Sequence, residues 1–120
     1  MDNTSTIWSC MELVKNFCDD RDWAQFHNPK DLAIGISTEA GELLEHFRFK
    51  SEAECQDLMS DPKRREEIEE ELADVFYFVL RFAQRNDIDL GAALANKVAL
   101  DGKKYPVEKA KGQNKKYSEF

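Results

Sequence analysis

Glycine and proline are scarce in this sequence of 120 residues, which contains five glycines and three prolines. Alternation of apolar and polar residues, the pattern of a half-buried strand, is absent as well. Turn-rich β-architectures need both features, so their absence predicts a chain dominated by helices. The length predicts one principal domain.

Metal-binding cysteine pairs and long apolar runs are also missing. Cys10, Cys18 and Cys55 lack metal-ligand spacing and are interpreted as free thiols in a reducing compartment. The first ten residues do not combine a basic region with a long apolar run, so we expect no signal peptide. No stretch approaches the roughly 18 apolar residues of a membrane span. These observations predict a soluble, cytoplasmic protein with no membrane partner.

Excess positive charge is absent, because the formal net charge is -7. Proteins that bind nucleic acid in a groove are usually basic, so we do not expect nucleic acid as a primary partner. The negative charge still allows a nucleotide ligand, since a bound cation reverses the local sign.

Apolar residues recur at three- and four-residue intervals in four long segments, which predict helices over about residues 4–19, 28–47, 62–86 and 89–105. A capping-box sequence predicts a short additional helix over residues 51–58. The apolar positions expected to face inward include Leu72 and Phe76, and Leu94 and Val98 in the last long segment. The fold class predicted is all-α, with a helical domain over residues 1–106 and a loose, lysine-rich tail over residues 107–120.

Two acidic pairs lie beside the apolar stripes, Glu39-x-x-Glu42 and Glu71-x-x-Asp74. Residues three apart are neighbours on one helix face, so two packed helices would gather four carboxylates. Such a cluster raises its own pKa values unless a cation holds it, and Mg²⁺ prefers oxygen ligands. On spacing alone, an exposed, solvated acidic face is the competing interpretation.

Other catalytic signatures are not found. Ferritin-like metal sites need Glu-x-x-His, and neither His27 nor His46 follows a glutamate by three. The sequence has no nucleophile elbow, Walker loop or dinucleotide-binding glycine motif.

Four stretches carry a resemblance to a known family: RDWAQFHNPK at residues 21–30, EAGELLEHF at 39–47, EELADV at 70–75, and the segment from Lys97 to Pro106. In this order they resemble the MazG-type all-α nucleoside triphosphate pyrophosphohydrolases, in particular the dCTP pyrophosphatase-like branch. The resemblance covers about residues 21–106.

The resemblance implies a four-helix MazG-like bundle that assembles as a homo-oligomer, either a dimer or a dimer of dimers. It implies Mg²⁺-dependent hydrolysis of a nucleoside triphosphate to the monophosphate and pyrophosphate, in nucleotide-pool housekeeping. The metal ligands it implies are Glu39, Glu42, Glu71 and Asp74, with Glu45 as a companion catalytic glutamate.

The resemblance also implies substrate contacts. A pyrimidine base would stack on aromatic residues. Candidate phosphate contacts are lysines near the end of the last long helix. The family often has asparagine where this chain has Asp31 and Asp101, and an ionised aspartate only accepts hydrogen bonds, which would favour the exocyclic amine of cytosine. We therefore expect dCTP or a related pyrimidine nucleotide as substrate, bound by His27, Trp23, Phe49, Phe78, Lys97, Lys104, Asp101 and Asp31.

Two alternatives remain at this stage. One is another enzyme of the superfamily, similar to an all-α dUTPase or to a phosphoribosyl-ATP pyrophosphohydrolase. The other is a non-catalytic helical module for protein interaction. Pyrophosphate release from a panel of nucleotides separates them.

Overall fold

The computed structural model describes residues 2–120 and is helical throughout. It contains α1 (Ile7–Asp20), α2 (Pro29–Glu45), α3 (Glu52–Ser60), α4 (Pro62–Arg85), α5 (Leu90–Lys104) and the short α6 (Val107–Ala110). Single 3₁₀ turns lie at Ala24–Phe26 and Tyr117–Glu119. No strand occurs within residues 2–120, so the all-α prediction is confirmed.

Helix bounds follow local capping chemistry. Asn28 accepts a hydrogen bond from the backbone N–H of Asp31, and proline occupies the first turn of α2. Ser51 forms the predicted capping box with Glu54 at the start of α3. Asp61 and Asp89 cap α4 and α5 by accepting hydrogen bonds from the backbone N–H groups of Lys63 and Ala92, respectively. These side chains satisfy N–H groups that the first helical turn leaves without partners.

The first compact unit extends to Asp87, and α4 is its central element. Helices α1, α2 and α3 all pack on α4, and α2 runs along it most extensively. The apolar side chains buried in this unit are contributed by α1, α2 and α4: Met11, Val14, Cys18, Leu32, Ile68, Leu80 and Ala83. Arg81 is buried among them, although the apolar pattern of α4 gave no reason to expect a charged residue there.

Several apolar residues predicted to face inward are exposed instead. Leu72 and Phe76 on α4 are 56% and 46% exposed, and Leu94 and Val98 on α5 are 64% and 61% exposed. The prediction was wrong for these four positions, which are exposed in the single chain. The helical pattern showed that they share a face and did not show what covers it.

The second compact unit comprises Ile88–Phe120 and includes the C-terminal tail. The tail was expected to be loose, but the rings of Tyr117 and Phe120 each lie 6.0 Å from the ring of Tyr105, edge to face. Such pairs stabilise beyond the area they bury. Three aromatic rings thus order a segment whose lysine content suggested disorder. The predicted domain boundary after residue 106 stays a prediction.

The sequence also led us to expect free cysteine thiols and no segment that spans a membrane. Cys10, Cys18 and Cys55 are all free thiols, and Cys18 is buried with its Sγ 3.1 Å from the hydroxyl oxygen of Tyr77. Within residues 2–120 there is no helix whose length and apolar character would let it span a bilayer.

At Gly35, α2 packs tightly against α4. A Cβ atom at this position would lie 2.5 Å from Cδ1 of Phe78, well inside van der Waals contact. At Gly41, on the same helix, a Cβ atom would meet no heavy atom of residues 2–120 within 4 Å, apart from its chain neighbours and its own helix backbone. Gly35 therefore allows the two helices to approach, whereas the packing of the chain does not require Gly41 to be glycine.

These two glycines make a matched pair of substitutions. We expect Gly35→Ala to lower the free energy of unfolding by about 1–3 kcal/mol, because the Phe78 ring must move to admit the methyl group. Gly41→Ala should raise it by up to about 1 kcal/mol, since alanine is the better helix former. Urea denaturation of both variants measures the difference. Equal stability of the two variants would show that Phe78 does not constrain residue 35.

Candidate active site

Three of the predicted carboxylates meet where α2 packs on α4. Glu39, Glu71 and Asp74 each offer an oxygen atom, and these oxygens lie within 4.8 Å of one another. Glu39 belongs to α2, and Glu71 and Asp74 lie one turn apart on α4. We call these residues the carboxylate trio. They are the part of the predicted metal site that the structure gathers.

The negative charges of the trio repel one another, and the pKa of Glu39 reflects this repulsion. Partial burial raises the pKa of Glu39, and the negative charges of Asp74, Glu71 and Glu42 raise it further. Burial and like charge both disfavour the ionised carboxylate. A divalent cation among the three oxygens would remove the repulsion.

The two remaining predicted acids lie outside the trio. Glu42 is exposed, and its negative charge contributes to the raised pKa of Glu39. Glu45 is exposed and forms an ion pair with Arg48 at 3.2 Å, so its catalytic role stays a prediction. His46 lies on the rim of the trio, with Nε2 3.8 Å from a carboxylate oxygen of Glu71.

A cavity of about 500 Å³ adjoins the trio and shares Asp74 with it. Its other walls come from α1, the segment before α2, and the turn of α4 that follows Asp74. The wall residues besides Asp74 are Leu13, Val14, Phe17, Trp23, His27, Tyr77 and Phe78. Three of the predicted substrate-binding residues, Trp23, His27 and Phe78, are therefore brought together.

The aromatic walls of the cavity support one another. The Phe17 ring meets the rings of Trp23 and Tyr77 edge to face, at 5.6 and 6.2 Å between centroids. Tyr77 meets Phe78 in the same geometry at 5.0 Å. Burial raises the pKa of Tyr77, and the contact with Cys18 adds to the effect, so this phenol stays protonated. The result is a fixed, largely apolar wall suited to a flat ring.

His27 is a polar residue of the cavity wall, and its ring contacts α4. Its Nδ1 accepts a hydrogen bond of 2.8 Å from Nε of Arg81. Burial lowers the pKa of His27, and the positive charges of Arg81 and Arg85 lower it further. The imidazole is therefore neutral at physiological pH.

Phe49 and Asp31 do not line this cavity. Phe49 is 92% exposed, has a positive φ of 63°, and lies under the guanidinium of Arg48 at 4.6 Å. Asp31 accepts a hydrogen bond of 2.7 Å from the side chain of its own helix cap, Asn28. Their substrate-binding roles stay predictions.

The other three predicted contacts lie in the second unit. Lys97 and Asp101 form an ion pair of 3.1 Å along α5, and the Lys104 ammonium lies 5.0 Å from the Tyr117 ring centroid. Their roles toward phosphate or sugar also stay predictions.

Sequence reasoning missed the contribution of α1 to the cavity. Val14 and Phe17 follow the apolar period of α1, whereas Leu13 lies outside it. The apolar period of α1 predicts that one face of the helix is covered. It does not show whether that face packs in a filled core or lines a cavity. The missed Arg81 had no sequence signal other than its position on the apolar side of α4.

Comparisons with known proteins agree with this arrangement. The family profile described as MazG-like matches residues 34–120. The dCTP pyrophosphatase 1 of Rattus norvegicus is 36% identical over 115 residues, which cover 96% of this chain and 68% of the rat protein. The Homo sapiens dCTP pyrophosphatase 1 is 33% identical over the same coverage.

A solved structure is similar in fold as well. A pyrophosphatase from Archaeoglobus fulgidus DSM 4304 aligns with a TM-score of 0.79 and 32% sequence identity, over 88% of this chain and 97% of the archaeal one. Sequence and structure thus agree on the resemblance that the four sequence stretches indicated. This chain belongs to the MazG-like family.

Proposed function

We propose that this MazG-like nucleotide pyrophosphohydrolase hydrolyses dCTP, or a closely related pyrimidine deoxynucleotide, to the monophosphate and pyrophosphate with the help of Mg²⁺. The names of the rat and human relatives support the substrate class. The observation that carries the proposal is the position of Asp74, which belongs both to the carboxylate trio and to the wall of the aromatic cavity. A base in the cavity would leave its phosphates close to the trio.

The donors of the trio fit a magnesium ion. All three are carboxylate oxygens, the hard ligands that Mg²⁺ prefers, and three lie within 4.8 Å of one another. Mg²⁺ commonly takes a few carboxylates and completes its shell with water and substrate phosphate. A bound magnesium ion would supply charge neutralisation for the triphosphate and a water of lowered pKa. The resemblance implies Glu42 as a fourth ligand, and its negative charge already acts on Glu39.

The reaction that fits this arrangement is attack of water on the α-phosphorus. The new bond joins the water oxygen to that phosphorus, the bond to the bridging oxygen breaks, and pyrophosphate leaves with that oxygen. Trp23 and Phe78 would hold the base, and the trio would hold the phosphate end. Fixing both ends of the substrate places the α-phosphorus reproducibly, which is the main contribution a protein makes to phosphoryl transfer.

Assembly into a homo-oligomer is the second part of the proposal. Trp8, Leu44, Leu72 and Phe76 are between 46% and 70% exposed in the single chain. Exposed apolar area of this extent favours contact between copies. Sedimentation equilibrium should give the mass of a dimer or a tetramer, and a monomer at micromolar concentration would contradict this part. Cytoplasmic location stays a prediction from composition.

The substrate proposal predicts a defined order of nucleotides. With Mg²⁺, pyrophosphate release should be fastest for dCTP or its base-modified relatives, slower for dUTP and dTTP, and slow for purine nucleotides. Without Mg²⁺ it should fall to background. A preference for dUTP or for phosphoribosyl-ATP would favour the corresponding relatives, and no release from any nucleotide would favour an interaction module.

Two substitutions test the acidic site directly. We expect Asp74→Asn to lower kcat by more than about 100-fold, because it removes one ligand charge without changing shape. Glu42→Gln should have a comparable effect if Glu42 completes the site. Circular dichroism should show both variants fully helical. Wild-type turnover in both variants would reject the carboxylate site.

The raised pKa of Glu39 predicts that the metal-free site opposes folding. An acid whose pKa is higher in the folded state destabilises the fold above that pKa, and the penalty disappears below its ordinary value of 4.5. Glu39→Gln should therefore raise the melting temperature of the metal-free protein at pH 7–8, with the gain vanishing near pH 4. Added MgCl₂ should stabilise the wild type and leave the variant unchanged.

The exposed Glu66, on the same helix as Glu71, provides the control. Glu66→Gln should alter neither the metal-free stability nor the response to magnesium. A stabilisation by Mg²⁺ that survives in Glu39→Gln would place the ion elsewhere.

A further inference from the structure

Arg81 is a buried cation without an anionic partner. Its side chain is 2% exposed, and within residues 2–120 no carboxylate forms an ion pair with it. Its Nη2 is buried without any hydrogen-bond partner in the same range. Burial of an unpaired charge is among the costliest arrangements in a protein interior. Packing alone gives no reason for arginine at this position.

The two hydrogen bonds that Arg81 does make hold the guanidinium in one orientation. Nη1 donates to the side-chain oxygen of Gln84 at 2.7 Å, and the Gln84 amide nitrogen donates to the backbone oxygen of Met11 at 3.3 Å. Gln84 thus links Arg81 on α4 to the backbone of α1. Nε faces His27 and donates to its Nδ1 at 2.8 Å.

The direction of this last bond determines where the proton of His27 resides. Guanidinium nitrogens donate and never accept, so Nδ1 must contribute a lone pair. A neutral imidazole with an unprotonated Nδ1 carries its hydrogen on Nε2. Within residues 2–120, Arg81 is the only side-chain hydrogen-bond partner of the His27 ring, so the Nε2–H has no protein acceptor.

We propose that Arg81 is a positioning residue that fixes His27 as the Nε2–H tautomer and thereby gives the cavity one hydrogen-bond donor of fixed direction. This inference rests on the proposed function, since His27 lines the cavity to which the nucleobase is assigned. A donor at this point selects a base that presents a carbonyl oxygen or an unprotonated ring nitrogen. A base that presents N–H or NH₂ there would place two donors against each other.

The chemistry of the surroundings agrees with this role. Burial and the neighbouring cation lower the pKa of His27, so a lower pH is needed before both ring nitrogens become donors. The burial of an unpaired charge is a cost to stability, and such costs are typical of residues kept for a site rather than for the fold. Replacing the arginine by an apolar residue of similar length should therefore leave the fold formed.

Nitrogen NMR reads the tautomer without reference to activity. The sequence contains two histidines, and the substitution His27→Gln assigns the resonances. In long-range ¹H–¹⁵N spectra of the wild type, Nδ1 of His27 should resonate as an unprotonated nitrogen and Nε2 as a protonated one. In Arg81→Met both tautomers should be populated, and Arg81→Lys should restore the wild-type pattern because lysine also only donates.

Steady-state kinetics tests whether Arg81 affects the binding of the substrate. Arg81→Met should raise KM for dCTP about 5- to 10-fold, the worth of one hydrogen bond, and change kcat little. If Arg81 acts through His27, the same substitution should have no further effect on KM in a His27→Gln background.

Arg85→Met is the matched control, because Arg85 also acts on His27 through its charge, yet its guanidinium donates to the backbone oxygen of Ala24. It should leave both the tautomer and KM unchanged.

The outcomes are distinguishable. A protonated Nδ1 in the wild type, or unchanged tautomers in Arg81→Met, would overturn the inference whatever the enzyme does. An additive effect of Arg81→Met in the His27→Gln background would overturn the role of His27 in transmitting it. A wild-type protein with the expected spectra that hydrolyses no nucleotide would overturn the proposed function and the substrate-reading role, while the tautomer assignment would stand.

Discussion

Repulsion among the carboxylates of the trio is the constraint on which the rest of the structure depends. Three acidic oxygens within 4.8 Å of one another are unfavourable in the metal-free fold. They are kept together because α2 and α4 pack closely for another reason, the fit of Gly35 against Phe78. Apolar packing thus supplies the free energy that holds like charges at the distance a cation requires. The same contact joins the site to the cavity, since Phe78 is also a cavity wall.

The cavity and the trio divide the recognition of a nucleotide between them. The cavity is largely apolar, and its neutral histidine accepts a hydrogen bond from a buried arginine. The trio is charged and depends on a cation. Asp74 lies at the junction, so a displacement of α4 would alter base binding and phosphate binding together.

The features that could be predicted from the sequence are those governed by local chemistry. Asn28, Ser51, Asp61 and Asp89 mark the starts of α2, α3, α4 and α5, because a capping side chain satisfies N–H groups only a few residues away. The grouping of Glu39 with Glu71 and Asp74 was also predictable, since both acidic pairs border apolar stripes. Helical spacing placed Glu42 on the same face as Glu39, and it remains more exposed there.

Features that depend on contacts distant in sequence could not be predicted. Leu72 and Phe76 follow the apolar period of α4, yet whether they are covered depends on surfaces that a one-dimensional pattern does not contain. Arg81 is separated from His27 by 54 positions, and nothing local pairs the two residues. The aromatic order of the tail likewise required the position of Tyr105 relative to Tyr117.

The most direct measurement of the central claim is the location of a bound divalent ion in solution. Paramagnetic Mn²⁺, which accepts the same oxygen ligands as Mg²⁺, can be titrated into ¹⁵N-labelled protein at substoichiometric concentration. The account predicts that the signals lost first belong to Glu39, Glu71, Asp74 and their neighbours. A second pocket, lined by Glu54, Asp57 and Asp61 together with Lys50 and Leu58, serves as an internal comparison. Loss of signals around that pocket, with the trio unaffected, would contradict the account.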